Sequence, residues 1–285
     1  MDAVPLLVAA AVAAALAPGG LRALTAAGWT RANFRGVPLP FPAGVLALVA
    51  GLLALGLLVG IEHVFDVYLV SPEGYDGPID NIYNSDVVAL VAGVGLLGLL
   101  DDLVDAPARG LRGHAAAALR GELSTGVLKA AGTLALAVVV LGRPLHGADF
   151  PSAVACVVLA TNLFNLLDLR PGRATKAFVL LGAGLLLAVR DSESLRVVGA
   201  YAAPLVMLGL YDLRERCMLG DTGANALGAL AGLWLVLVLD TTGQWVAAGV
   251  LLALTIFGEF GSFSSAIAKL PPLRVLDSLG RRRDA

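Results

Sequence analysis

Cysteine and charge are what this chain has least of. Its 285 residues include two cysteines, Cys156 and Cys217. They make no disulfide framework, and neither belongs to a CxxC or Cys/His metal spacing. Charged residues form 15% of the chain, against about 25% in soluble domains. The formal net charge is −2, which excludes the basic field of a nucleic-acid-binding protein.

What the chain has in excess is apolar side chain: 58% of residues are hydrophobic and the mean hydropathy is +0.84. A single soluble core could not hide so much, so the natural solvent is lipid. Long apolar runs recur from end to end. The expectation is one integral membrane domain over 1–285, an all-α polytopic helix bundle. The first run has only Asp2 before it and no basic n-region, so it reads as a retained helix rather than a signal peptide. About nine membrane helices are expected, at Ala3–Ala17, Ala43–Gly60, Val87–Leu100, Thr125–Leu141, Ser152–Leu167, Ala177–Val189, Val197–Leu210, Thr222–Leu239 and Trp245–Gly258. Several fall short of the ~20 residues that a full span needs. Such helices either continue past their apolar cores or lie against partners.

The connections set the orientation. With nine helices, the loops 18–42, 101–124, 168–176 and 211–221 and the tail from 259 share one side. That side, with Lys129 one turn inside the fourth helix, collects 17 of the 20 Lys and Arg residues. Arg143, Arg190 and Arg196 remain opposite. Positive residues stay in the cytoplasm, so the N-terminus is expected outside and the C-terminus inside. The outer loop 61–86 is acidic and turn-rich, with no chemistry assigned. The final RRRDA reads as a solvated basic end.

Three constellations fall on the cytoplasmic side. In "GVGLLGLLDDLVDAPARG" a greasy helix runs into Asp101, Asp102 and Asp105. Two ionised carboxylates about 4 Å apart repel by roughly 4 kcal/mol at an effective dielectric near 20. One of them takes a proton, or a cation binds between them. Mg²⁺ suits that place, because it accepts one or two carboxylates and completes its shell with water and phosphate. The plainer alternative is a solvated helix end. In "TNLFNLLDLRPGR", Asn162, Asn165 and Asp168 recur every third residue, and amides inside an apolar helix need partners in the bundle. The alternative is that the asparagines only join helices. In "CMLGDTGANALGALAG", Asp221 stands between glycines at a helix start, where free N–H groups can approach a phosphate. The alternative is an N-cap aspartate. Ala224, Gly228 and Gly232 then form a small-residue packing stripe. Basic residues ring these acids: Arg109, Arg112, Arg120, Lys129, Arg170, Arg173, Lys176, Arg214 and Arg216. Lys129 is the candidate phosphate contact, able to snorkel to the same face.

Taken in order, these motifs resemble the polyprenyl-phosphate N-acetylhexosamine-1-phosphate transferases, the group of the phospho-MurNAc-pentapeptide and GlcNAc-1-phosphate transferases (glycosyltransferase family 4). "GLLDD" resembles the family's first aspartate motif, "NLFNLLD" its Asn-x-x-Asn-x-x-Asp motif, and "LGDTGANALG" its Gly-Asp-x-Gly motif. "NFRGVPLPFPAG" is similar to the segment before the second helix, and "GEFGSFSSAIAKLPPLRVLD" to the broken ninth helix and its arm. The resemblance implies a reaction in which a polyprenyl phosphate attacks the β-phosphorus of a UDP-sugar with Mg²⁺, or Mn²⁺ in its place, and UMP leaves. It implies a divergent member in a bacterial plasma membrane, acting at the cytoplasmic face in cell-envelope glycan biosynthesis, and suggests a homodimer. By carry-over, Asp101 and Asp102 hold or deprotonate the lipid phosphate. Asp221, with Asp102, binds the metal. Asn162, Asn165, Asp168 and Lys129 orient the nucleotide or diphosphate. Such phosphoryl chemistry depends on electrostatic positioning.

The chain also departs from the family pattern. Asp168 is followed by "LRPGRAT" where the family has Gly-x-x-Gly-Leu-Ala. The arm lacks the histidine cluster, His114 is the only cytoplasmic histidine expected, and no tenth helix is expected within these residues. These departures strike the sugar-nucleotide half of the site. They leave open a non-catalytic relative that binds polyprenyl phosphate or a lipid-linked precursor. "DDLVD" also matches the DDxxD box of a membrane prenyltransferase, although such enzymes need a second acidic box and "GDTGANALG" carries one acid. A transporter is the fourth reading, opposed by acids at one face rather than near the midplane.

Overall fold

A computed structural model of the chain describes residues 3–65, 67, 69, 84–104, 120, 124–190, 192 and 194–281. Asp105, Arg109, Arg112 and His114, most of the loop 61–86 and the final RRDA lie outside the described residues. The described residues form eleven helices and one small hairpin: α1 Val4–Ala26, β1 Thr30–Ala32, β2 Pro38–Pro40, α2 Gly44–Phe65, α3 Asn84–Leu103, α4 Thr125–Leu141, α5 Asp149–Leu167, α6 Arg173–Val189, α7 Ser194–Leu213, α8 Gly220–Val238, α9 Thr241–Phe260, α10 Phe263–Lys269 and α11 Pro271–Ser278.

Each expected apolar run is helical, and most helices run a turn past it. Five of them, α1, α2, α5, α8 and α9, are long and apolar enough to cross a membrane. α1 overruns its expected end by nine residues and carries Pro18 in its interior. Proline forfeits one backbone bond, a loss that packing against neighbouring helices makes tolerable. Here α1 lies against α2 and α7, and Gly20 admits the Leu46 side chain where a Cβ would meet it at 2.7 Å. α2 and α9 leave Leu53, Leu57, Val246 and Val250 exposed. An outer surface of large aliphatic side chains is one that lipid solvates.

α8 is the axis. From Thr222 to Leu237 every residue is buried, against α2, α3, α5, α6 and α7. The stripe Ala224–Gly228–Gly232 packs as expected. A Cβ on Gly228 would stand 2.5 Å from the Thr161 Cα, and one on Gly232 2.5 Å from the Val157 Cα, so α5 and α8 touch backbone to backbone. A Cβ on Gly98 of α3 would collide with the backbone of Asp221. Close approach of three helices therefore fixes where α8 begins.

The hairpin is the departure from an all-α chain. Its strands pair antiparallel, Thr30 with Pro40 and Ala32 with Pro38. Asn33 closes the turn, its side-chain oxygen accepting from the N–H groups of Arg35 (2.9 Å) and Val37 (3.0 Å). An asparagine imitating a backbone turn in this way needs no periodic pattern around it.

Candidate functional site

The last turns of α3, α5 and α7 meet the first turns of α4, α6 and α8 at one end of the bundle. Asp101 and Asp102 lie inside the final turn of α3 rather than beyond it. Adjacent helical residues point about 100° apart, and the two carboxylates go to different places.

Asp102 turns to α8. Its Oδ1 accepts from the Asp221 N–H at 3.0 Å, and its Oδ2 from the Thr222 N–H at 2.9 Å and the Thr222 hydroxyl at 2.6 Å. The N-cap residue of α8 is Leu219, which supplies no side-chain cap. Asp102 thus caps the helix from a neighbouring one and meets its positive end. It is 5% exposed, and three donors leave its oxygens little capacity for another ligand. Arg31 of the hairpin donates to the Asp102 carbonyl at 2.9 Å and stacks on Phe41, 4.0 Å from the ring centre.

Asp101 and Asp221 turn to Lys129. The Lys129 ammonium donates to Asp101 Oδ2 at 2.8 Å and to Asp221 Oδ2 at 2.5 Å. Asp221 is therefore no N-cap: its side chain looks across to α4 while its backbone receives the cap. The Asn165 amide, oriented as the donors and acceptors around it require, donates to both Asp221 oxygens (3.0 and 3.1 Å) and accepts from Lys129 at 3.2 Å. Four helices thus supply one polar cluster: Asp101 from α3, Lys129 from α4, Asn165 from α5 and Asp221 from α8.

Asp168, one turn beyond Asn165, caps the end of α5. Burial, with the carboxylates of Asp212, Asp221 and Asp102 nearby, pushes it well above the usual carboxylate range. No hydrogen bond or ion pair to its side chain occurs among the described residues. Asn162 makes no hydrogen bond to the cluster. The space beside Asp168, lined by Asn33, Phe34, Pro171, Asp212 and Cys217, is about 50 Å³. A cavity of that size holds a water or two, not a nucleobase. The segment after Asp168 is committed elsewhere. The Gly172 N–H donates to Asp212 at 2.6 Å, and Arg173 pairs with Asp277 at 3.0 Å.

Sequence reading missed Asp212, Glu215 and Asn33. Glu215, at a left-handed φ of 53°, receives Arg35 Nε at 3.1 Å and Asn33 Nδ2 at 3.2 Å, and so ties the hairpin to the α7–α8 turn. The acids of "YDLRERC" were the available signal, hidden among arginines that read as topology markers.

Among the described residues no three of His, Cys, Asp and Glu gather as a metal cage. Two hard-oxygen carboxylates, Asp101 and Asp221, share one ammonium with each other. That set fits an ion carried by phosphate oxygens and one or two carboxylates, the usual habit of Mg²⁺. No protein-family model and no curated protein sequence matches this chain.

Proposed function

We propose that this chain is a multi-pass phosphoglycosyl transferase-like protein of a bacterial plasma membrane. Its nine apolar helices span the bilayer, with the N-terminus outside and the Asp101 end in the cytoplasm. The reaction moves a sugar-1-phosphate from a UDP-sugar to a polyprenyl phosphate. The observation that carries this reading is the cluster itself: Lys129 between Asp101 and Asp221, with Asn165 closing the ring. Carboxylates, a lysine and an amide from four helices suit the binding of phosphate groups at a membrane surface.

Asp221, with Asp101 beside it, would hold Mg²⁺, which when bound neutralises diphosphate charge. Asp101 holds or removes the proton of the lipid phosphate. Lys129 turns its ammonium from the carboxylates to the incoming phosphate oxygens. Asn165 fixes the rotamer of Asp221, and Asn162 and Asp168 extend the nucleotide side. Asp102 keeps the first turn of α8 in register.

Purified protein in nanodiscs, with labelled UDP-GlcNAc, undecaprenyl phosphate and Mg²⁺, tests the reading. UMP release that is lost in Asp221→Asn is the expected result. No UMP with any of several UDP-sugars overturns it.

A second reading, a non-catalytic binder of polyprenyl phosphate, has its own support. The cavity beside Asp168 is too small for a base, and Gly172 and Arg173 are already engaged. Lipid-phosphate binding without UMP release selects it.

A further inference from the structure

α11 is held by its polar edge. Arg173 grips Asp277 through two nitrogens, Nε at 3.0 Å and Nη2 at 3.2 Å. Lys176 Nζ donates to the carbonyls of Leu276 (3.0 Å) and Asp277 (2.6 Å). Arg281 closes the other side, 2.9 Å from Asp277 Oδ1 and 3.1 Å from the Pro171 carbonyl. These contacts are polar, and those that reach the bundle fall on Pro171, Arg173 and Lys176, around the start of α6. The arm therefore crosses the bundle at the level where α6 enters it.

What the contacts leave uncovered is apolar. Leu273, Val275 and Leu279 are 41%, 58% and 57% exposed, and Leu270 before them is exposed as well. No residue of α11 is buried. A helix docked on a soluble surface turns its aliphatic stripe inward. This one is tied down by Asp277, with half-buried Leu276 beside it, and leaves Val275 and Leu279 on the outside. Lys269 and Arg274, both exposed, flank that edge with no acidic partner among the described residues.

We propose that α11 is an interfacial helix that seats Val275 and the adjoining Leu279 in the headgroup layer of an anionic leaflet, with Lys269 and Arg274 against lipid phosphates. The proposal rests on the reading that the long helices span a membrane. Position and charge select the occupant. A bilayer around α6 reaches α11 without any docking step, and an anionic leaflet supplies apolar depth and phosphate at one level. The arm then links lipid composition to Arg173 and Lys176, which follow Asp168 in the chain.

Cys156 and Cys217 are buried, so an environment-sensitive probe can be placed on the full chain at Val275→Cys or Leu279→Cys. Val250→Cys, on the exposed side of α9, serves as the spanning control. In nanodiscs of phosphatidylcholine with phosphatidylglycerol, both arm probes should be quenched by lipid carrying a shallow nitroxide. Quenching should fall at least about twofold in pure phosphatidylcholine, and again with Lys269→Glu/Arg274→Glu. If Val250→Cys is quenched by deep nitroxide while the arm probes stay in water, the inference fails and the spanning reading stands. If Val250→Cys is not quenched, the spanning reading fails and this one with it. Probes shielded without lipid quenching, with cross-links between chains, overturn the proposal in favour of a second copy on this edge.

Discussion

The ammonium of Lys129 donates to Asp221 Oδ2 at 2.5 Å, across 92 positions of chain. It donates to Asp101 as well, so one internal cation answers two acids. Removing it leaves two carboxylates facing each other with nothing between them. Lys129→Met is expected to lose about 3 kcal/mol of stability, the order found when one member of a buried charged set is deleted. The freed carboxylates then take a cation from solution. Mg²⁺ should raise the unfolding temperature of Lys129→Met more than that of the parent chain. Equal responses would show that the carboxylates do not form a cation site.

Asp102 and Asp221 should fail in different ways. Asp102 satisfies three donors at the start of α8, so Asp102→Ala leaves orphaned N–H groups at a buried helix end. Its expected cost is about 2–3 kcal/mol, read as a fall in unfolding temperature. Asp221→Asn removes a charge but no cap, and its stability should stay closer to the parent while UMP release or lipid-phosphate binding is lost. Equal destabilisation by both would contradict the separation of cap from site.

The glycine seams give a packing test with an internal control. Gly228 lies against the backbone of Thr161, while a Cβ on Gly249 of α9 would meet nothing within 4 Å. Gly228→Val must push α5 from α8 and is expected to cost about 1–3 kcal/mol or more. Gly249→Ala should be neutral or stabilise by up to about 1 kcal/mol through helix propensity. Thermal unfolding in one detergent compares them directly.

Helices and site differed in how far the sequence disclosed them. Apolar runs located the nine long helices among the described residues, because each run must find lipid or a neighbour whatever the rest of the chain does. Their ends were less legible. The overrun of α1 depends on Gly20 accepting Leu46, a contact between separate helices. Asp101, Lys129, Asn165 and Asp221 were visible as polar residues in apolar surroundings. The division of labour between Asp101 and Asp102 was not, since it follows from the 100° turn of α3 against a particular approach of α8. Nothing local in the sequence marks Glu215 and Asp277, because their partners, Arg35 and Arg173, are distant in the chain. The hairpin has no periodicity to announce it and is made by one asparagine side chain.

Asp277 gives the pH prediction. Burial alone would raise its carboxyl, but the hydrogen bonds and charge of Arg173, with Arg281 and Lys176 beyond, outweigh it and hold Asp277 below its usual value. A depressed folded-state pKa contributes stability above the unfolded pKa, near 3.9, and that stability is lost as pH falls through the folded value. Docking of α11 should therefore be constant from pH 8 to about 5 and weaken only at more acid pH. Hydrogen exchange of the segment 270–281, corrected for its intrinsic pH dependence, measures this. Asp277→Asn should show the released rate already at neutral pH, because the amide keeps one acceptor but loses the charge-assisted fork, worth roughly 1–3 kcal/mol. Protection that declines between pH 7 and 6, or that survives Asp277→Asn unchanged, would mean that some group other than this carboxylate fastens the arm.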